Sequence, residues 1–245
     1  MINYPVDLSI IIPAFEERQK IGRDIEEAAA FLERQGLAGE IIVIDDGSRD
    51  DTAAAAGRIT TPPDIPVQVI RYADHRGKGY AIRTGMQQAR GDYVMFADSG
   101  NCVPYDHTLR GLQLLKSGAC ELAHGSRKLP ESHIERRQVW YRRILSKGFH
   151  WAMILGMGLP RSLTDTQCGF KIYRGDVART LYGQCATDGF MFDIEIILRA
   201  RQQGYRIKEF PIAWTADPDT RLSVTRTSRT VLTELWAIKR SLAAS

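Results

Sequence analysis

The chain reads as an α/β protein with a mostly parallel central sheet flanked by helices. Two observations predict this. Through the first hundred residues, apolar runs of strand length alternate with stretches of helical spacing. Polar residues also gather where each apolar run stops: Glu16 and Glu17, Asp45 and Asp46, His75 to Lys78, and Asp98. Strand–helix–strand units wind right-handedly and place ligands at the carboxyl ends of their strands. One site along one edge of the sheet is therefore expected.

The elements follow in order. "DLSIIIPAF" is apolar enough to be buried on both faces, as a central parallel strand must be. "EERQKIGRDIEEAAAFLERQG" has helical spacing and stops at Gly36, where a left-handed residue can end the helix. "GEIIVIDDG" is the second strand. "SRDDTAAAAGRI" is a short helix, with Ser48 the expected N-cap and acids in its first turn. "PVQVIRYA", "KGYAIRTGMQQAR" and "GDYVMFAD" continue as strand, helix, strand. Beyond Asp98 the pattern changes. "YDHTLRGLQLLKSG" is helical, "CELAHGSR" a short strand, and "LTDTQCGFKIYRGDVA" a loop entering a strand. "GFMFDIEIILRARQQG" is a helix carrying two carboxylates in its first turns, and "YRIKEFPIAWTA" a further strand. From Thr225 to Leu242 a helix is expected, its stripe of Val231, Leu235, Ile238 and Leu242 facing the core.

Composition narrows the class. With 44% hydrophobic and 25% charged residues, the 245-residue chain is ordinary for a globular protein. Cys102, Cys120, Cys168 and Cys185 form no CxxC pair, so a reduced, intracellular setting is expected. The opening "MINYPVDLSIIIPAF" lacks a basic n-region, so no signal peptide is expected. No apolar run reaches the ~20 residues that span a bilayer, so membrane contact, if made, should be peripheral, on the cytoplasmic face. P-loop and dinucleotide fingerprints are absent, although "HRGKGYA" opens a helix whose amides could face phosphate.

The net charge of +4 is unevenly spread. Between Arg127 and Lys147 stand seven Lys or Arg against two Glu. The plain reading of such a run is a solvated helix face. Here Trp140, Tyr141, Ile144, Leu145, Phe149 and Trp151 interleave with the charges, which is the pattern of a helix lying in a membrane interface. A nucleic-acid partner is not expected, since no binding module accompanies the charge.

"SIIIPAFEE", "VIDDGSRDDT", "RGKGYAIRTGMQQARGDYVMFAD", "GSR" and "DTQCGFKIY", in that order, resemble family 2 glycosyltransferases with the GT-A fold. Within them the chain resembles the polyprenyl- and dolichyl-phosphate glycosyltransferases. "ERRQVWYRRILSKGFHW" followed by "DTQCGFKIY" is more similar to dolichyl-phosphate glucosyltransferases than to the mannosyl enzymes. The resemblance implies one GT-A domain over residues 1–245. Residues 1–100 would be its nucleotide-sugar half and 101–220 its acceptor half, with a membrane-interface segment at 131–160 and a C-terminal helix at 221–245.

The resemblance also assigns roles. Pro13, Phe15 and Glu17 would hold the nucleoside ring and ribose, and Asp45 and Asp46 the base and sugar; for Asp45 and Asp46, helix capping with Ser48 is the rival role. Gly77, Lys78 and Gly79 would run beside a UDP- or GDP-sugar donor, with Asp98 and Ser99 at its diphosphate. Asp98 matches the first acid of the family's Asp-x-Asp motif, which grips Mg²⁺ or Mn²⁺. Gly100 stands where the second acid belongs, so a weakened metal site is expected, helped by Asn101 or Gln167. Arg127, Arg221 and Arg226 could share the leaving-group charge. If a polyprenyl phosphate accepts the hexose, glucose or mannose, Arg127, Arg136, Arg137, Arg142, Arg143 and Gln167 would position it. If a hydroxyl of a saccharide or another lipid accepts it, a general base is needed, and Asp193 stands at the family's base position, two residues before Glu195. For both carboxylates, complementing the helix dipole is the rival role. The likeness implies inversion at the anomeric carbon, and the sequence also allows a homo-oligomer.

Overall fold

The computed structural model describes residues 5–135, 153–154, 156–216 and 224–243, with side chains of the last stretch from 231 onward. Nine strands are described: β1 (Leu8–Ala14), β2 (Gly39–Asp45), β3 (Val67–Arg71), β4 (Tyr93–Ala97), β5 (Leu122–Ser126), β6 (His133–Ile134), β7 (Phe170–Arg174), β8 (Ile207–Pro211) and β9 (Ala213–Trp214). The helices are α1 (Ile21–Gln35), α2 (Thr52–Gly57), α3 (Lys78–Gln88), α4 (Thr108–Lys116), α5 (Gly175–Gln184), α6 (Phe192–Gln202) and α7 (Val224–Ala243).

Seven strands form one sheet in the order β3-β2-β1-β4-β7-β5-β8. β1, β2, β3 and β4 pair in parallel, while β7 runs antiparallel between β4 and β5. The sheet is thus mixed and mostly parallel. Parallel register aligns Ala14 with Asp45 and Asp45 with Arg71, so the polar ends come out level. Antiparallel register pairs Ala97 with Phe170, which brings Asp98 opposite Gly169. That pairing builds the site.

The strands are apolar on both faces because helices cover both. Leu8, Ile10 and Ile12 of β1 face the layer holding Ile25, Phe31 and Leu32 of α1 and Leu112 of α4. Ile11 points the other way, into Ile82 and Met86 of α3, Tyr182 of α5 and Phe192 of α6. Each such side chain removed from water contributes roughly 1.5–3 kcal/mol. A third cluster joins Leu235 and Ile238 of α7 to Met191, Ile194 and Ile197, with Val231 and Leu242 of the expected stripe packed against it partly buried.

Four local features differ from the sequence expectation. α2 starts at Thr52, not at Ser48, because Ser48 Oγ accepts the Glu16 amide instead of capping a helix. A helix, α5, follows β7 directly where a strand ending was expected, after Arg174 adopts an extended backbone. A 3₁₀ turn at Tyr105–His107 precedes α4. The last expected strand is split at Ile212 into β8, in the main sheet, and β9, which pairs with β6.

Candidate active site

The rim begins at the end of β1. Phe15 leaves the strand and its ring packs against His75 at a centroid distance of 4.2 Å. Glu16 adopts a positive φ of 56° and sends the chain into α1. The Glu17 amide donates to Thr52 Oγ1, and Lys20 lies 3.6 Å from its carboxylate. Pro13, the last-but-one residue of β1, is half-buried between these turns.

At the end of β2 both acids turn inward. Asp45 is fully buried and accepts the Ser48 amide at 3.0 Å, with Arg71 Nε 3.6 Å from its other oxygen. Asp46 accepts the Arg76 and Gly77 amides at 2.7 and 2.8 Å, and His75 Nδ1 lies 2.9 Å away. Asp46 is therefore the anchor of the glycine-rich segment. Gly77 has φ 114°, a conformation L side chains avoid, and a Cβ there would meet the Asp188 carbonyl. Loop 185–190 lies on this segment, and its own shape is set by Glu195. That carboxylate accepts the Ala186 and Thr187 amides and the Thr187 hydroxyl and pairs with Arg199. Burial alone would raise the Glu195 carboxyl, but these donors hold it below the ordinary range.

Lys78 opens α3 and reaches across to Asp98, with Nζ 2.6 Å from Oδ1. Burial would depress the ammonium, yet the Asp98 and Asp193 charges lift it above its usual value. Asp193, at the start of α6, is buried and ion-paired with Lys171, which also donates to the Thr166 carbonyl at 2.9 Å. Burial raises the Asp193 carboxyl, and Lys171 and Lys78 only partly offset it. Asp98, Lys78, Asp193 and Lys171 thus form a run of alternating charge.

Asp98 sits where β4 meets β7. Its amide donates to the Gly169 carbonyl at 2.9 Å, and its carboxylate lies against the Gly169 α-carbon. The following turn is held from behind by Asp24 on α1. Asp24 is buried and accepts the Ser99 hydroxyl at 2.7 Å and the Gly100 amide at 2.9 Å. Gly100 has φ 95° and Asn101 φ 48°, so the turn needs glycine where the family motif has its second acid. Burial raises the Asp24 carboxyl, and the donors from Gly100 and Ser99 work against that rise.

Across the rim, Arg127 makes a two-pronged pair with Asp165, Nε and Nη2 at 2.6 and 2.8 Å. Asp165 is positioned by its own amide, which donates to Glu209 at 2.7 Å. Burial notwithstanding, Asp165 raises the Arg127 guanidinium further above its ordinary value. Its side chain keeps 22% exposure, so fixed positive charge faces outward.

Asn101 Oδ1 and Gln167 Nε2 are buried without a hydrogen-bond partner among the described residues, one three positions after Asp98 and the other two before Gly169. No three His, Cys, Asp or Glu side chains gather into a metal cluster among those residues. A hard divalent ion can nevertheless be bound through one or two carboxylates plus substrate phosphates. Asp98 and the Asn101 amide oxygen fit a site that a diphosphate would complete, and fit none that the protein closes alone.

Asp45, Asp46, Asp98, Ser99, Arg127 and Gln167 lie at strand ends and in loops, and Lys78 and Asp193 in the first turns of α3 and α6. Arg136, Arg137, Arg142, Arg143 and Arg221 lie outside the described residues, and Arg226 falls where only backbone is described. Sequence reasoning passed over Asp24, Lys171 and Asp165 as site residues, and over Gly169 within its motif. Two had a signal. Asp24 is an acid on the apolar stripe Ile21, Ile25, Ala28, and Lys171 is a cation inside the buried strand "FKIYR".

A mixed, mostly parallel seven-stranded sheet flanked by helices, with acids at its strand ends, is the architecture of a GT-A glycosyltransferase. Glucosyl-3-phosphoglycerate synthase from Mycobacterium tuberculosis, solved with Mn²⁺ and UDP-glucose, superposes with a TM-score of 0.66 over 95% of this chain and 79% of its own, at 18% identity, and so shows the shared fold. The model of Glycosyl transferase family 2 matches residues 9–181, and this chain belongs to that family. It is 32% identical over 229 residues to the dolichyl-phosphate beta-glucosyltransferase of Drosophila melanogaster, across 89% of this chain and 70% of that protein. The Saccharomyces cerevisiae protein of that name is 31% identical over 225 residues, 84% of this chain and 66% of its own. The protein is a glycosyltransferase.

Proposed function

We propose that this enzyme moves a hexose, glucose in the first instance, from a nucleoside-diphosphate sugar to a polyprenyl phosphate at a membrane surface. The names of the relatives support the glucosyl and lipid-phosphate parts of this reading. The observation that carries it is the buried pair of Asp193 and Lys171. Asp193 is almost fully buried and its carboxylate is already engaged by Lys171, so it is not presented to an acceptor as a free general base would be. A lipid phosphate needs no such base, because it arrives already ionised.

In this mechanism a phosphate oxygen of the lipid attacks the anomeric carbon from the face opposite the diphosphate. The new carbon–oxygen bond forms as the old one breaks, with inversion, and the nucleoside diphosphate leaves. Lys78 faces the growing charge on that leaving group, and cations fixed there in advance stabilise the transition state. Mg²⁺ or Mn²⁺, held by Asp98 with Asn101, would neutralise further diphosphate charge. Arg127, immobilised by Asp165, presents its guanidinium to the incoming phosphate, with Arg136, Arg137, Arg142 and Arg143 assigned to the same task. Pro13, Phe15, Glu17, Asp45, Asp46, Gly77, Ser99 and Arg221 are assigned to the donor. Gln167 lines the acceptor side.

Incubation of the purified chain with UDP-glucose, a short polyprenyl phosphate and Mg²⁺ should yield an acid-labile glucosyl phospholipid. GDP-mannose in place of UDP-glucose distinguishes the donor. Turnover on a saccharide or lipid hydroxyl with none on lipid phosphate would instead establish the second reading, favoured by the position of Asp193 at the family's base.

A further inference from the structure

The C-terminal helix α7 carries a second face that the core does not use. Leu235 and Ile238 are buried, but Leu232 and Trp236, one turn apart, are 67% and 62% exposed. The exposed positions continue with Lys239 and Arg240, and the Arg240 guanidinium lies 4.6 Å from the Trp236 ring. The single acid between residues 231 and 243, Glu234, is turned inward and accepts the Met191 amide at 3.1 Å. The outward face therefore has a large aromatic, a leucine and two cations, and no negative charge.

Water is a poor environment for that combination, and the core offers it nothing. A tryptophan beside cations at one helix face suits the boundary between lipid headgroups and acyl chains, where the ring is half-solvated and the charges meet phosphate. We infer that α7 is a membrane-docking helix, with Leu232 and Trp236 entering the interface of an anionic bilayer and Lys239 and Arg240 pairing with its headgroups. Charge complementarity selects this occupant over a neutral surface. Through Glu234 and the packing of Leu235 and Ile238 on α6, the docked helix is bolted to the segment just before Asp193. The active site would thereby be held at a set height above the lipid. This goes beyond the acceptor assignment, because it concerns bulk lipid and needs no polyprenyl phosphate.

The test is flotation of the full chain with vesicles of equimolar phosphatidylcholine and phosphatidylglycerol, and with pure phosphatidylcholine, neither containing polyprenyl phosphate. Wild type should bind the anionic vesicles and bind the neutral ones weakly. Lys239→Gln with Arg240→Gln should lower anionic-vesicle affinity by about five-fold per charge, and added salt should weaken wild type alone to the same level. Leu232→Gln with Trp236→Gln should lower it at least ~tenfold. Both pairs sit on exposed positions, and circular dichroism checks that each folds. Equal binding of the two vesicle types, or unchanged binding of the Leu232/Trp236 pair, would overturn the proposal. So would a wild-type dimer that the same pair converts to monomer without vesicle binding in either form; that result would make the face a contact between copies.

Discussion

The carboxylate of Asp98 rests on the α-carbon of Gly169, across the junction of β4 with the antiparallel β7. A methyl group at 169 would overlap both carboxylate oxygens. Asp98 thus owes its position to the absence of a side chain some seventy residues later.

Gly169→Ala should therefore displace Asp98 before it disturbs anything else. Misplacing a catalytic group by about 1 Å costs on the order of a hundredfold in rate, and overpacking costs roughly 1–3 kcal/mol. Steady-state kinetics and urea melts measure the two. Gly57→Ala, where an added Cβ meets nothing, is the control and should leave kcat unchanged.

Asp24 holds the same turn from the opposite side. Asp24→Ala would strand the Gly100 amide and the Ser99 hydroxyl, at a cost of about 1–3 kcal/mol, and should lower kcat through Asp98. The pH dependence has a defined sign. Burial sets the folded Asp24 carboxyl above its ordinary value of 3.8, so its contribution to stability is fully present below that value. The contribution is lost as pH rises through the folded value. The difference in Tm between wild type and Asp24→Asn should accordingly be largest in acid and shrink toward neutrality.

Lys78→Met removes the ammonium 2.6 Å from Asp98. On the proposed mechanism, loss of this charge should reduce kcat by about a hundredfold or more. With the competing cation gone, Asp98 should also bind Mn²⁺ more tightly in the presence of UDP, which electron paramagnetic resonance reads without turnover. Unchanged Mn²⁺ affinity would mean that Lys78 and the metal do not share Asp98.

Breaking the buried pair separates structure from base catalysis. Lys171→Met should destabilise the fold by ~3–5 kcal/mol, and Lys171→Met with Asp193→Leu should recover much of that. If the recovered double variant still glucosylates lipid phosphate, Asp193 takes no proton from the acceptor. A complete loss restricted to hydroxyl acceptors would identify Asp193 as their base.

Much of the architecture was legible in the residues. The first four strands and their helices follow from apolar period and from stops such as Gly36, because local spacing alone decides which side chains can share a face. The split of the last strand and the helix at Gly175–Gln184 were not, since β7 and β8 take their partners from distant segments. In the site, the polar strand ends put Lys78 and Asp98 on one edge and the resemblance singled out Asp193, but neither gave a sign of which carboxylates turn inward. In the sequence Asp45 and Asp46 read as donor ligands by resemblance, with helix capping as the rival role; in the fold both accept backbone amides and lie beside cationic side chains.

By itself the order of residues determined the family, the strands and helices of the parallel half of the sheet and the edge on which the chemistry collects, because apolar spacing and the polar residues that end each run are written locally along the chain. Which charges face each other was decided only by tertiary structure. Asp98 meets Gly169, Lys78 pairs with Asp98 and Asp24 closes the turn because the antiparallel insertion of β7 and the packing of α1 bring together groups separated by dozens of residues. In a low-dielectric interior such neighbours, not the residues' own types, set what each carboxylate can do.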